Sequence, residues 1–534
     1  MLVNLFYKNI QKHVYVSTVL VAIPLVLSAF MHLWNPVGFP AVHVDEGHYM
    51  RRAMQVLEGL GPQEPLSAYV FAYDHPYFGQ LFLASVFKLI GYPDLLQPKV
   101  GDIHSIEMLY LVPRVLMGVL AVIDTFLVYK IAETRYNRKV AFIAATLFAV
   151  MPLSWMLRGI YLDSILLPFL LSSIYFAVST KQTGPISNGV AKRKKYLILL
   201  SGIFLGLAIF TKTPVFIMVP LVAITIAKNN NKNLKSAMVV WLIPVILIPL
   251  IWPVYAISQG QLGEWAEGVF YQASRETGKP LRYSLNLVAE IDPVLLLLAA
   301  IGFIYSELRR DYFIFFWVVP YAIFLYLIGW VVHFHWIILL PAFCIVTAVF
   351  VEDLSKRLKS KKISRLSTVV TVSGIGAIGL VSTSILITTN LNSSYFQLYS
   401  FITNEIADSI KENSNELLTI IGTHRTRGLL WMPQYVFNIG NVVFRDTDID
   451  FDPFTKPIET KKIIFILDPH LRSRFIPSSD NYYVNEKDRR IGFYYYNADT
   501  IATFVNKKSD DYPVMTIEEN YGLGRFVEVR ANYR

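Results

Sequence analysis

The chain has 534 residues, of which 54% are hydrophobic and 16% charged, where a soluble domain carries roughly 45–50% and about 25%. This composition, with a mean hydropathy of +0.44, excludes a disordered or fibrous chain and points to a membrane protein. A single cysteine, Cys344, excludes an internal disulfide framework and a thiolate zinc site, and the net charge of +10 fits basic cytoplasmic loops rather than nucleic acid.

No charged residue lies between Lys12 and Asp45, so a first span is expected from about Val14 to Trp34, a retained anchor rather than a cleaved signal. Further apolar runs follow at Ile106–Ile131, Val140–Leu157, Tyr161–Val178, Tyr196–Phe210, Val215–Ala227, Ala237–Ile257, Leu285–Tyr305, Tyr312–Gly329, Phe334–Val351 and Ser367–Thr389. The expectation is a polytopic α-helical protein with about eleven transmembrane helices. Lys8 and Lys12, Lys130 to Lys139, Lys192 to Lys195, Lys228 to Lys235, Arg309 with Arg310, and Lys356 to Arg365 all fall on one side of that arrangement. Short basic loops are cytoplasmic, which puts the amino terminus inside and, with an odd span count, the carboxyl terminus outside.

On the outer face this leaves a loop from about 35 to 105, a second from about Ser258 to Ser284, and everything after about 390. The division expected is a transmembrane catalytic domain, 1–389, including the outer loop 35–105, and a soluble extracytoplasmic domain, 390–534. The latter carries β-branched runs at Leu417–Ile421 and Lys462–Leu467 and a hairpin turning at Gly522 and Gly524, so a small α/β or α+β domain is expected. The Asn/Lys tract Asn229–Lys235 is explained as a solvated loop.

The first outer loop holds the strongest chemistry. Asp45 and Glu46 open a stretch in which Tyr49, Met50, Ala53, Val56, Leu57 and Leu60 follow helical spacing. Taken alone, Asp45 caps that helix and Glu46 complements its dipole. Their place directly after a span favours use, because charges there are expensive unless solvated or functional. A second interfacial helix is expected at Phe78–Ile90, led by Asp74, His75 and Pro76, a sequence that also suits a simple helix-launching turn.

A long first outer loop with an Asp-Glu pair and a short amphipathic helix, then a His-Pro element before another, resembles integral-membrane glycosyltransferases of the GT-C type. The nearest groups are the protein O-mannosyltransferases and the lipid A aminoarabinose transferases. RGIYLDSILLPF at 158–169, GLAIFTKTP at 206–214 and HFHWIILLP at 333–341 resemble further elements of those enzymes in the same order. Pro76-Tyr77 departs from the family's doubled proline. The oligosaccharyltransferase branch competes through DEGHYMRR, but no WWD-type motif is found in the carboxyl-terminal part.

The resemblance implies transfer of a sugar from a polyprenyl-phosphate carrier to a hydroxyl or amine of a protein, lipid or glycan acceptor at the outer face of the cell membrane. It implies Asp45 as general base, Glu46 as its helper and Asp163 lining the same cavity, in an inverting displacement. Arg114, Arg158, Lys212, His333 and His335 are candidate cations for the departing phosphate, with Asp74 and His75 as further substrate-binding candidates. Most of these cations have a plainer explanation: Arg158 sits near Asp163 at helical spacing, Lys212 ends a helix, and lone histidines are usually hydrogen-bonded interface residues. Asp292-Pro293 suits a helix cap. No cofactor is expected; a divalent metal between two carboxylates is the less favoured route. The alternative class is a transporter or lipid flippase, which would show repeats and ionisable groups near the bilayer midplane; here they gather at the outer ends of spans.

Overall fold

The computed structural model describes residues 2–63, 73–181, 188–274, 281–357, 360–412, 418–422, 428, 430–439, 442–446, 462–467, 514–518 and 526–533. The chain divides into two compact units: residues 1–36, 71–79 and 115–388, and residues 37–70, 80–114 and 389–534. The first-loop segments 37–70 and 80–114 thus fall with the carboxyl-terminal residues.

The first unit is helical. It contains α1 (Leu2–Leu33), most of α4 (Ile103–Arg135), α5 (Arg138–Val150), α6 (Leu162–Ser179), α7 (Asn188–Thr211), α8 (Val219–Asn229), α9 (Leu234–Ser258), α10 (Leu262–Ala273), α11 (Leu281–Ile291), α12 (Pro293–Leu308), α13 (Tyr312–Leu327), α14 (Leu340–Lys356) and α15 (Lys361–Thr388). Every apolar run picked out in the sequence is largely helical, but among the described residues five helices are individually long and apolar enough to cross a bilayer, or up to seven if two bent pairs count as spans. The runs Val140–Leu157 and Leu285–Tyr305, expected as single spans, break at Pro152 and Pro293 with bends of 67° and 112°. Proline removes a backbone donor and clashes with the preceding turn, so it starts a new segment. At the second break Asp292 accepts from the amide of Leu295 at 3.0 Å, the N-cap with proline at the first position that its sequence suggests.

Small residues let these helices approach. Gly202 and Gly206 of α7 lie against α9: a Cβ on Gly202 would run into the carbonyl of Trp241, and one on Gly206 would sit 2.6 Å from the carbonyl oxygen of Pro244. Gly206 opens the GLAIFTKTP motif, so at least part of that motif is packing. Gly206→Val is expected to lower stability by about 1–3 kcal/mol, as overpacked cores do. Thermal unfolding of the purified protein checks this; an unchanged midpoint would mean α7 and α9 are not held at this contact.

The second unit contains α2 (Val44–Leu57), most of α3 (Phe78–Ile90), the first turns of α4, α16 (Ser393–Glu412) and a five-stranded sheet. The Phe78–Ile90 helix has the bounds expected from its sequence. The strands are β1 (Leu418–Gly422), β2 (Val442–Asp446), β3 (Lys462–Leu467), β4 (Val514–Glu518) and β5 (Phe526–Tyr533), in the order β2-β1-β3-β5-β4. β1 pairs in parallel with β2 and β3, with Leu418 opposite both Val442 and Lys462. β5 runs antiparallel to β3 and β4, so the carboxyl-terminal hairpin forms, with Thr516 opposite Glu528; its expected turn at Gly522 and Gly524 lies outside the described residues. Leu398, Ile402 and Ile406 of α16 bury one helical stripe together with Ile420 of β1.

Candidate functional site

In the second unit the acidic pair stands at the start of α2. The N-cap is His43, not Asp45: the His43 ring accepts from the amide of Asp45 at 3.2 Å, and Glu46 reaches back to the amide of His43 at 3.1 Å. This reciprocal arrangement satisfies orphan donors of the first turn and relieves Asp45 of the capping task. The Asp45 side chain is 29% exposed and its Oδ2 lies 3.8 Å from His43 Nδ1.

Glu46 is fully buried and meets Arg114 of α4 at 2.7 Å, a pair with both side chains at 0% exposure. Arg114 also donates to the carbonyls of Pro40 at 2.8 Å and Val37 at 3.5 Å. Its guanidinium is therefore committed to the segment that leads into α2. Burying two charges is tolerable only when hydrogen bonds surround them, as here.

A residue that the sequence does not single out completes this arrangement. Asn392, just ahead of α16 and 0% exposed, donates to the carbonyls of Val37 at 2.6 Å and Pro40 at 2.8 Å, and accepts from the amide of Val42 at 2.8 Å. One amide side chain thus fixes residues 37–42 from both ends, across about 350 residues of chain. An asparagine after an apolar run carries no signal of such a task. Asn392→Ala strands buried carbonyls and an amide and is expected to lower stability by about 1–3 kcal/mol. If the change leaves thermal unfolding untouched, the segment is held by other contacts.

In the first unit the motif residues gather around the junction of α6 and α7. Lys212 follows α7 and heads a short 3-10 segment, Thr213–Met218. Its Nζ donates to Asp163 Oδ2 at 2.6 Å, with side-chain exposures of 5% and 1%, and lies 5.0 Å from the ring centre of Phe334. Arg158 and Asp163 do not share a helix: Arg158 ends the 3-10 segment Pro152–Arg158, an extended link follows, and Asp163 belongs to α6. Helical spacing is therefore no guide to this pair, and Arg158 donates to the carbonyls of Met31, at 3.2 Å, and Trp34.

His333 stacks on Trp155 with ring centres 5.2 Å apart and meets Tyr161 edge-on. His335 Nδ1 faces the amide of Val332 at 3.4 Å. Asp74 and His75 are half-buried in the bend before α3. The residues just after them pack onto the same junction: Tyr77 meets Phe210 edge-on at 4.8 Å, and Gly79 lies against Leu162 and Thr211, the neighbours of Asp163 and Lys212. Two tyrosines of this segment are poor acids. Tyr73 and Tyr77 are pushed up to about 12 by burial and then by neighbouring Tyr255, so their hydroxyls stay protonated donors; Tyr73 donates to Gln261 at 2.7 Å.

The structure thus joins Asp45 with His43, Glu46 with Arg114, and Asp163 with Lys212 in the company of His333, Phe334 and the Asp74–Gly79 segment. Among the described residues no three His, Cys, Asp or Glu side chains converge in a way that could hold a metal ion.

Comparison with known proteins agrees with the architecture. The family model of dolichyl-phosphate-mannose-protein mannosyltransferases matches residues 104–257, which carry Arg114, Arg158, Asp163 and Lys212. No curated protein sequence matches the chain. Among solved structures, the Archaeoglobus fulgidus oligosaccharyltransferase AglB, in complex with an inhibitory peptide and a dolichol-phosphate, is similar with a TM-score of 0.57 at 11% identity, over 84% of this chain and 69% of that one. ArnT from Cupriavidus metallidurans, bound to undecaprenyl phosphate, is similar with a TM-score of 0.50 at 12% identity, over 96% of this chain and 97% of that one. The chain resembles the GT-C glycosyltransferases in fold, and the mannosyltransferase family over part of its sequence.

Proposed function

We propose that the protein is a multi-pass membrane glycosyltransferase that moves a sugar from a polyprenyl-phosphate carrier to an acceptor hydroxyl or amine at the extracytoplasmic face. Asp45 takes the acceptor proton, the acceptor oxygen or nitrogen bonds to the anomeric carbon, and the bond from that carbon to the phosphate oxygen breaks, releasing the polyprenyl phosphate. One displacement inverts the anomeric centre. The observation that carries this proposal is the arrangement at the start of α2: His43 caps the helix, Glu46 is buried against Arg114, and Asp45, beside His43, is the partly exposed acid of the pair.

Lys212 is assigned to the charge that develops on the phosphate, with Asp163 fixing its ammonium group. Glu46, Arg114 and Arg158 act as positioning residues, since the contacts described above commit them to backbone segments. His333, His335, Asp74 and His75 are assigned to the surroundings of the donor. The reaction as written uses the protein's own side chains. The family match over residues 104–257 supports a mannosyl donor and a protein acceptor.

The direct test uses purified protein, polyprenyl-phosphate mannose and polyprenyl-phosphate aminoarabinose, and a panel of peptide, lipid and glycan acceptors. Release of polyprenyl phosphate together with an inverted product is expected. Movement of the carrier across a bilayer without sugar transfer would instead establish a flippase. Orientation is checked separately in a Cys344→Ala background. Cysteines replacing Glu58 and Gln434 should react with an impermeant label in intact cells, and one replacing Lys192 should not, because basic loops stay cytoplasmic. Labelling at Lys192 would overturn the assignment of faces.

A further inference from the structure

The far end of the first unit holds a second polar feature that the transfer chemistry does not use. The ends of α4, α6 and α8 and the start of α13 line a partly open cavity of about 110 Å³, where one water needs about 10–15 Å³. Three cations line it, Arg135, Lys181 and Lys228, together with the hydroxyls of Thr134 and Thr225. It is remote from Asp163, because α6 has 18 residues and rises about 27 Å from Asp163 to Lys181, close to the thickness of a hydrocarbon core.

Cations at helix ends commonly serve the terminal carbonyls, and here Lys194 does so for α8, donating to the carbonyl of Asn229 at 2.8 Å, with two amides beside it. Asn229 donates to the carbonyl of Ala177 and to Thr180 Oγ1, both at 3.2 Å, and Asn230 donates to the carbonyl of Ile226 at 2.7 Å. Arg135 pairs with Asp311 at 2.9 Å. Among the described residues no carboxylate pairs with Lys181 or Lys228, and Lys228 instead stands 4.3 Å from the ring centre of Tyr312. The cavity therefore keeps excess positive charge. Part of its wall is apolar, formed by Leu221, Ile224 and Phe316 among others. A soluble phosphate ester has no use for that wall, whereas an amphiphile does.

We propose that this cavity binds the phosphate headgroup of an anionic phospholipid in the leaflet that borders the basic loops, with its acyl chains along the apolar wall. Basic pockets between transmembrane helices suit such headgroups by charge and by location. The site rests on the membrane placement of these helices and is independent of the transferase assignment.

The test is binding of phosphatidylglycerol, phosphatidylcholine of the same chain length and free glycerol 3-phosphate to the purified full-length chain, followed as adducts by native mass spectrometry. The unmodified protein should retain phosphatidylglycerol in preference to the other two probes. Lys181→Gln with Lys228→Gln, both at exposed positions, should weaken that binding by roughly thirty-fold, while Lys192→Gln with Lys195→Gln should not. Unchanged binding in the first variant, or an equal loss in both, would overturn the site. Glycerol 3-phosphate binding as tightly as the lipid would overturn the lipid assignment. A melting curve confirms that both variants fold, and Lys181→Arg with Lys228→Arg should keep the adduct.

Discussion

Asp45→Asn is expected to lower sugar transfer by roughly 100-fold or more while leaving donor binding and thermal unfolding close to those of the native protein. The substitution keeps the size of the side chain and removes its ability to take a proton. The obvious alternative, that Asp45 merely caps α2, is weakened by the position of His43, whose ring accepts the amide that a capping group would accept. A cap would in any case tolerate the change, since Asn caps helices about as well as Asp. Glu46→Gln supplies the contrast. Glu46 is buried against Arg114 and bonded to the amide of His43, so its loss strands a buried guanidinium and is expected to destabilise the fold by about 3–5 kcal/mol. A stability defect at Glu46 and a turnover defect at Asp45 would separate the two neighbouring acids. Near-native transfer by Asp45→Asn would remove it as the base and leave Asp163 as the next candidate.

The local features of the fold were legible where short-range physics decides them. The helix Phe78–Ile90, the strand Lys462–Leu467 and the Asp292 cap with Pro293 follow from periodicity, β-branched runs and cap chemistry. Hydropathy by itself misses direction. The run Leu285–Tyr305 is apolar throughout in the average, yet the Asp-Pro step at its centre turns the chain by 112°, and the breaker signal had to outweigh the apolar one. Long-range pairing was less accessible. Arg158 is five positions from Asp163 and invites a helical ion pair, but the extended link between them removes that geometry, and the cation that meets Asp163 comes from 49 residues away. Asn392 binds carbonyls some 350 residues distant, and nothing in its neighbourhood marks it. Motif order singled out Lys212 and Asp163; only the fold joined them.

That junction permits the second large effect. Lys212→Met is expected to weaken donor binding and to slow transfer by roughly 100- to 1,000-fold, the range seen when one preorganised electrostatic donor is lost. The same change leaves Asp163, 1% exposed, as a buried carboxylate without its ammonium partner, so stability should also fall by about 3–5 kcal/mol. A purely structural ion pair would produce the stability loss too, and unfolding alone therefore does not decide. Removing both charges does. Lys212→Met with Asp163→Leu removes both charges of the pair, and replacing a buried pair by apolar groups is often neutral. The double variant should recover most of the lost thermal stability and none of the lost transfer, because the phosphate still lacks its cation. Donor binding and transfer measured beside the melting curves make the distinction. If transfer returns together with stability, Lys212 serves only to neutralise Asp163, and the cation for the leaving phosphate must come from elsewhere in the first unit.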